Sequence, residues 1–405
     1  MFFNKNQKNS IIDSKGFDYI DQKKSFYFDS ACQTLRPIEV IYAEQDYYKT
    51  YNACGHRVKY EWGKQVDKKV DETRNLILSL LGKSSSQYCV AFCLNTTHGI
   101  NTVLHQLNSL KFDRVITSDI EHNSVFLNSI TWAKRNNKDR IVWARNSDGS
   151  IDYDSKELER SIVLVNTTSN IDGRNLSNLK ILGEDVHKVD GLLLLDCAQT
   201  LGHDLGILQN VDFDAVFASG HKMYGQSIGF VVIKKSLIRE LDCFLVGGGT
   251  VEDVSFDNYK LVSNENELYS RIESGLQNYA GIIGLGEAIK WKNSLRINGK
   301  TPLQYEVDLS NYLFNKLTEI PQLNIVNNTS SPVVSVYSDK LDSHQLGAFL
   351  GVKQIMCRTG YFCCHYYLKE VRNLPPLLRI SLGLNNSKEQ IDFLIENLKF
   401  VLEKF

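Results

Sequence analysis

The sequence predicts an α/β protein: a largely parallel sheet covered by helices, then a smaller C-terminal α+β domain. Three observations predict it. Short apolar runs alternate with helical stretches from about residue 70 to residue 230, the pattern of parallel strands buried on both faces. Polar motifs follow these runs directly, where such sheets bind ligands. Beyond about residue 290 the alternation gives way to a mixed strand and helix pattern.

Five runs, over 89–92, 115–118, 162–165, 192–195 and 215–218, read as buried strands. Helical stretches such as 70–81 and 99–110 lie between them. In the tail, 333–337 and 378–382 read as strands and 344–350 as a helix. A last helix from 388 to about 403 puts Ile391, Leu394, Leu398 and Val401 or Leu402 on one face. These elements divide the chain into a segment 1–25 packed on the smaller domain, a large domain 26–290 and a small domain 291–405. There is no internal repeat and no low-complexity linker.

The 405 residues, 42% hydrophobic, suffice for a large core. Forty-six basic residues balance 47 acidic ones, and no basic stretch is interleaved with aromatics, so nucleic acid is not an expected partner. The uncharged stretch 84–110 is full of Asn, Thr, Gln, Ser and His, so no membrane span is expected. The N-terminus lacks the apolar centre of a signal peptide. Nine cysteines, an odd number without zinc-type pairs, point to no metal site and to a reduced, cytoplasmic protein.

Two islands carry the chemistry. Asp196-Cys-Ala-Gln199 closes one apolar run, and Ser219-Gly-His-Lys222 follows the next. An acid at one strand end and a lysine past its neighbour are what pyridoxal 5'-phosphate requires. The lysine forms the Schiff base, and the acid keeps the ring nitrogen protonated. Thr96 and Thr97, after a strand and opening a helix, are placed to grip a phosphate, with Ser219 and His221 as further donors. His122 can stack on the ring and relay protons. Asn170 and Gln199 can hydrogen-bond its hydroxyl. Arg379, apolar on both sides, needs an anion, and a substrate carboxylate supplies one. In Cys357-Arg358-Thr-Gly-Tyr-Phe-Cys363-Cys364-His365, Gly360 and the small polar residues suggest a mobile loop. Arg358 and His365 there can lower the pKa of a nearby thiol and so arm it to attack a substrate sulfur.

Taken in order, these motifs resemble the class V aminotransferases of fold-type I, and among them the cysteine desulfurases and selenocysteine lyases. The resemblance runs from Phe28-Asp-Ser-Ala31 through His56-Arg57, Thr96-Thr97-His98-Gly99, Glu121-His122, Ser169-Asn170, Asp196-x-x-Gln199 and Ser219-Gly-His-Lys222 to Arg379-Ile-Ser-Leu382. It implies a fold-type I transferase that releases L-alanine from L-cysteine and passes sulfur to an acceptor protein. It implies a homodimer in which Gly247-Gly-Gly-Thr250 and Arg271-Ile-Glu-Ser-Gly275 lie near the partner subunit's site, so that Thr250 serves the cofactor. Arg358-Thr-Gly-x-x-Cys marks Cys363 as the persulfide-forming residue, with adjacent Cys364 as the alternative, and Arg358 beside Arg379 as a substrate ligand. The Phe-Cys pair is similar to the molybdenum-cofactor sulfurases. Their further C-terminal domain is not expected, since the chain ends soon after Arg379. Two departures stand out: Leu276-Gln277 where the family has Thr-Pro, and His98 where it commonly has Glu. The alternative is a lyase, epimerase or aminotransferase of the same family acting on another amino acid.

Overall fold

A computed structural model describes residues 15–21, 23–56 and 58–404. Seven strands make the principal sheet: β1 (Tyr88–Cys93), β2 (Arg114–Ser118), β3 (Asp139–Trp143), β4 (Ser161–Asn166), β5 (Leu192–Asp196), β6 (Ala215–Ser219) and β7 (Gly229–Lys234). Their order is β1-β7-β6-β5-β4-β2-β3. Only β7 runs against its neighbours β1 and β6; every other pairing is parallel.

Alternation along the strands feeds two cores. Val163, Val165, Leu193, Leu195 and Val216 pack on one face against helices Glu61–Leu80, Leu179–Lys188 and Tyr279–Ser294. Ile162, Leu164, Leu194, Ala215 and Phe217 pack on the other against Thr96–Gln106 and Asn123–Asn136. Both faces are therefore covered, which is why these strands read as continuous apolar runs. All five strands expected from the sequence form, each one or two residues longer than the apolar run. The sequence reading passes over β3 and β7.

A second, four-stranded antiparallel sheet follows: β8 (Asn324–Ile325), β9 (Val333–Tyr337), β10 (Arg358–Gly360) and β11 (Leu377–Ser381), in the order β8-β9-β11-β10. Helices Pro302–Thr318, Ser343–Val352 and Lys388–Lys404 bury Leu313, Leu346, Leu394 and Leu398 against it. The chain reaches this core from its N-terminal side. Phe26–Tyr27 pairs in parallel with Ile355–Met356, Asp29 bridges to Ser381, and Phe28 is fully buried here. Most of segment 1–25 lies outside the described residues; of it, Lys15 donates to Tyr305 Oη at 2.8 Å and Phe17 packs edge-on against Trp291. Within the segment 357–365, residues 358–360 form the edge strand β10.

Candidate active site

Where the carboxyl ends of β1, β2, β4, β5 and β6 meet the second sheet, they enclose a cavity of about 330 Å³. Lys222, Asp196, His122, Arg379, Cys32 and Cys363 all open on it.

Lys222 ends a single 3-10 turn, Gly220–Lys222, that leaves β6. Gly202 backs this turn so closely that a Cβ there would lie 2.1 Å from the Lys222 carbonyl oxygen. The segment after Ala31 clamps the turn from the other side: Thr34 N–H donates to His221 O at 2.8 Å, and Tyr224 N–H to Thr34 Oγ1 at 2.7 Å. Burial pushes the Lys222 pKa down, against the opposing charge of Asp196. Burial pushes Asp196 up, while the Ala198 N–H, Lys222 and the Ser124 hydroxyl hold it toward the carboxylate. Asp196 Oδ1 accepts from Ala198 N–H at 3.0 Å and Oδ2 from Ser124 Oγ at 3.2 Å.

His122 caps the helix Asn123–Asn136, its Nδ1 accepting from Ser124 N–H at 3.0 Å. That bond leaves the ring proton on Nε2. Burial, together with the charges of Lys222 and Arg379, pushes its pKa down to about 3. The ring is therefore neutral at physiological pH.

At the anion-binding end, Asn95 caps the helix Thr96–Gln106 by accepting from His98 N–H at 2.9 Å. Thr97 faces the cavity. Ser219 Oγ instead bonds Thr96, accepting from its N–H at 2.8 Å and lying 2.7 Å from its Oγ1. Gly229 allows β7 to pass this corner, for a Cβ there would be 2.4 Å from the Asn95 carbonyl carbon. Buried Gln199 spends its Nε2 on Ala31 O at 2.8 Å, while Gln199 Oε1 and His221 Nδ1 have no partner. Unsatisfied polar atoms in such a place fit a polar ligand between them. With a buried amine opposite a buried carboxylate and a capped helix end beyond, the donor set fits pyridoxal phosphate.

The two arginines meet a group that the motif reading leaves unassigned. Asp29 accepts from Arg379 Nη2 at 3.2 Å through Oδ1 and from Arg358 Nε at 3.1 Å through Oδ2. Arg379 Nη1 donates to Asn170 O at 3.0 Å, and its buried Nε has no partner. Arg358 Nη2 lies 2.6 Å from Cys32 Sγ. Arg358 is thus engaged by Asp29 and Cys32, and no bond ties it or His365 to the Cys363 sulfur.

The cysteine segment is pinned to the principal sheet's helices and loops. Asn170 Nδ2 donates to Phe362 O at 2.8 Å and Asn123 N–H to Cys363 O at 2.7 Å. These bonds offset the cost of Phe362 and Cys363 at φ 49° and 60°, a region that side chains disfavour. The Cys363 side chain is exposed to the cavity. Cys364 is buried, donates to Asn170 Oδ1 at 3.1 Å, and has its pKa pushed up by burial. Asn170 therefore serves this segment with the side chain expected to bind the ring hydroxyl.

Thr250 is not at the cavity. Its hydroxyl donates to Gly247 O at 2.8 Å and accepts from Gly247 N–H at 2.9 Å. Gly248, Gly249, Gly275, Leu276 and Gln277 line a separate cavity of about 580 Å³ that also holds His56. Arg57 lies outside the described residues. Sequence reasoning misses Asp29, Cys32 and Ser124 as members of the site. Ser124 lies two residues past His122, and Asp29 and Cys32 flank the small pair Ser30-Ala31, but only the fold brings their side chains to Asp196 and to the arginines.

The family model described as aminotransferase class-V matches residues 26–394. A protein of Borreliella burgdorferi named probable cysteine desulfurase is 30% identical over 398 residues, 95% of this chain and 93% of the relative. A cysteine desulfurase of Escherichia coli O9:H4 is 28% identical over 387 residues, 92% of each chain. Among solved structures, the apo cysteine desulfurase of Thermococcus onnurineus superposes with a TM-score of 0.84 at 23% identity, over 100% of this chain and 99% of that one. A more distant structure, at TM-score 0.77 and 16% identity, carries glycine covalently linked to its pyridoxal phosphate and is covered to 99%, against 95% of this chain.

Proposed function

The chain belongs to the class-V aminotransferase family, and from that we propose that it is a cysteine desulfurase: it converts L-cysteine to L-alanine and leaves the sulfur as a persulfide on Cys363. The observation that carries this reading is that a single cavity holds a buried amine, a buried carboxylate, a guanidinium with an unpartnered Nε and an accessible thiol. The curated relatives bearing that name at 28–30% identity support it.

Pyridoxal phosphate, when bound, supplies an electron sink that makes the substrate's Cα proton labile. Lys222 and Asp196 would hold it, with the helix end at Thr96 and Thr97, Ser219, His221 and Gln199 around it and neutral His122 at its ring. Arg379 takes the substrate carboxylate, exchanging part of its pairing with Asp29 for the incoming anion. Lys222 Nζ, whose neutral form burial favours, takes the Cα proton and returns a proton to carbon. Cys363 Sγ bonds to the substrate sulfur as the Cβ–S bond breaks, and a proton at Cβ completes alanine. Cysteine plus enzyme thiol thus becomes alanine plus enzyme persulfide, with no external oxidant or reductant. Cys364 keeps the segment docked through Asn170.

The rest of the reading goes with it. The exposed apolar side chains Phe244, Val254, Phe256 and Leu276 favour a dimer that covers them. A sulfur-acceptor protein would receive the persulfide. All nine cysteines are unpaired, which suits a reducing cytoplasm, and no helix among the described residues is long and apolar enough to cross a membrane. The cofactor-holding unit is proposed as 26–290 and the smaller unit as 291–405, except that 26–28 pair with and pack into the core of the smaller unit.

The test is Cys363→Ala. Alanine formation from L-cysteine should be lost while the visible absorbance of bound cofactor is kept. Undiminished alanine formation by this variant would refute the assignment of the nucleophile.

A further inference from the structure

Two thiols, not one, open on the cavity. Cys32 lines it together with Cys363, whereas Cys364 is buried behind Asn170. Cys32 is held in place from both sides. Its N–H donates to Asp29 O at 3.0 Å, and the chain just beyond it is clamped to the lysine turn through Thr34. Arg358 spans from Asp29 to this sulfur, with Nη2 2.6 Å from Sγ. Arg379 and Gln199, which line the same cavity, each keep one buried polar atom without a partner, Nε and Oε1, and unsatisfied polar groups beside a cavity fit a polar ligand there. The proposed function uses neither Cys32 nor its guanidinium partner.

We propose that Cys32 is a second sulfur-accepting thiol of the site, taking the terminal sulfur from the Cys363 persulfide. This rests on the reading of Cys363 as the persulfide-forming residue. The sulfur of Cys32 attacks the outer persulfide sulfur. The new S–S bond forms as the bond to Cys363 Sγ breaks, and the electron pair and the proton given up by Cys32 end on Cys363 as its thiol. One S–S bond replaces another of the same kind, so no oxidant is needed and the exchange lies near balance. Arg358 offers its N–H to the sulfur of Cys32. Both thiols line one cavity, so the sulfur passes between them inside it. The outcome is a chain that stores sulfur on Cys32 and frees Cys363 for a second substrate before any acceptor arrives.

The experiment treats cofactor-loaded protein with L-cysteine, without acceptor or reductant, then traps persulfides by alkylation and maps them by mass spectrometry. Persulfide is expected on both Cys32 and Cys363. The alanine burst should fall by about half in both Cys32→Ala and Cys32→Ser. Cys363→Ala should carry none on Cys32. Persulfide confined to Cys363, with an unchanged burst in the Cys32 variants, would overturn the inference and leave the desulfurase reading intact. A Cys32–Cys363 disulfide without persulfide on Cys32 would overturn it equally. No alanine from wild type would instead refute the reading beneath it.

Discussion

Asp29 holds both guanidiniums that border the cavity, taking Arg379 on one oxygen and Arg358 on the other. A charge-assisted bond of this kind contributes about 1.5–3 kcal/mol, and here it fixes the direction in which Arg379 presents its remaining donors. Asp29→Asn should therefore lower kcat/KM for L-cysteine about tenfold or more, chiefly through KM, as steady-state kinetics will show. His122 gives a second prediction at this scale. With its pKa near 3, its ring should stay neutral from pH 8 down to pH 5, visible as a histidine signal in NMR spectra that does not titrate and is lost in His122→Asn. The residues that announce themselves in the sequence are those whose chemistry is costly where they stand: Asp196 ends an apolar run, Arg379 interrupts one, and Lys222 closely follows another. Asp29, Cys32 and Ser124 do not. They are short polar residues in a turn or a helix start, ordinary places for them, and their importance comes from side chains 70 to 350 positions away.

The strand ends are stitched together by carboxylates as well as by the backbone ladder. Glu121, fully buried, accepts from Ser118 Oγ at 2.6 Å and from Asn166 N–H at 2.8 Å, tying the end of β2 to that of β4. Burial raises its pKa from 4.5 to about 7. The folded state thus binds this proton more tightly than the unfolded one, and stability falls as pH rises from about 4.5 to 7. The cost above that window is on the order of 3 kcal/mol. Urea unfolding at pH 5 and pH 8 should show a smaller loss of stability for Glu121→Gln than for wild type. A plainer element carries a plainer prediction: Thr301 closes a capping box with Gln304 at the start of helix Pro302–Thr318, and Thr301→Ala should lower unfolding stability by about 1 kcal/mol. The parallel strands buried on both faces were legible because their composition has no other use. β3 was not, since it sits at the sheet edge and opens on Asp139-Arg140. β7 starts at a glycine forced by its approach to Asn95 and runs antiparallel, outside the alternation that reveals the rest.

For the molecule as a whole, the site exists only because two sheets with separate cores share a seam. The principal sheet supplies Lys222, Asp196 and His122 from its strand ends, β11 supplies Arg379, and residues 26–29 cross between them. The family fold and the cofactor were readable because motif order follows strand order; the seam was not, because no local pattern encodes which residue of β11 faces Asn170. With a partner subunit covering the exposed Phe256 and Leu276, sedimentation should give twice the 46.1 kDa chain mass. The most direct test of the central claim is a single turnover of cofactor-loaded protein with L-cysteine, counting alanine released against enzyme-bound persulfide. Equal amounts of the two, with persulfide at Cys363, are the result expected. Alanine without enzyme-bound sulfur, or turnover confined to amino acids that lack sulfur, would contradict it.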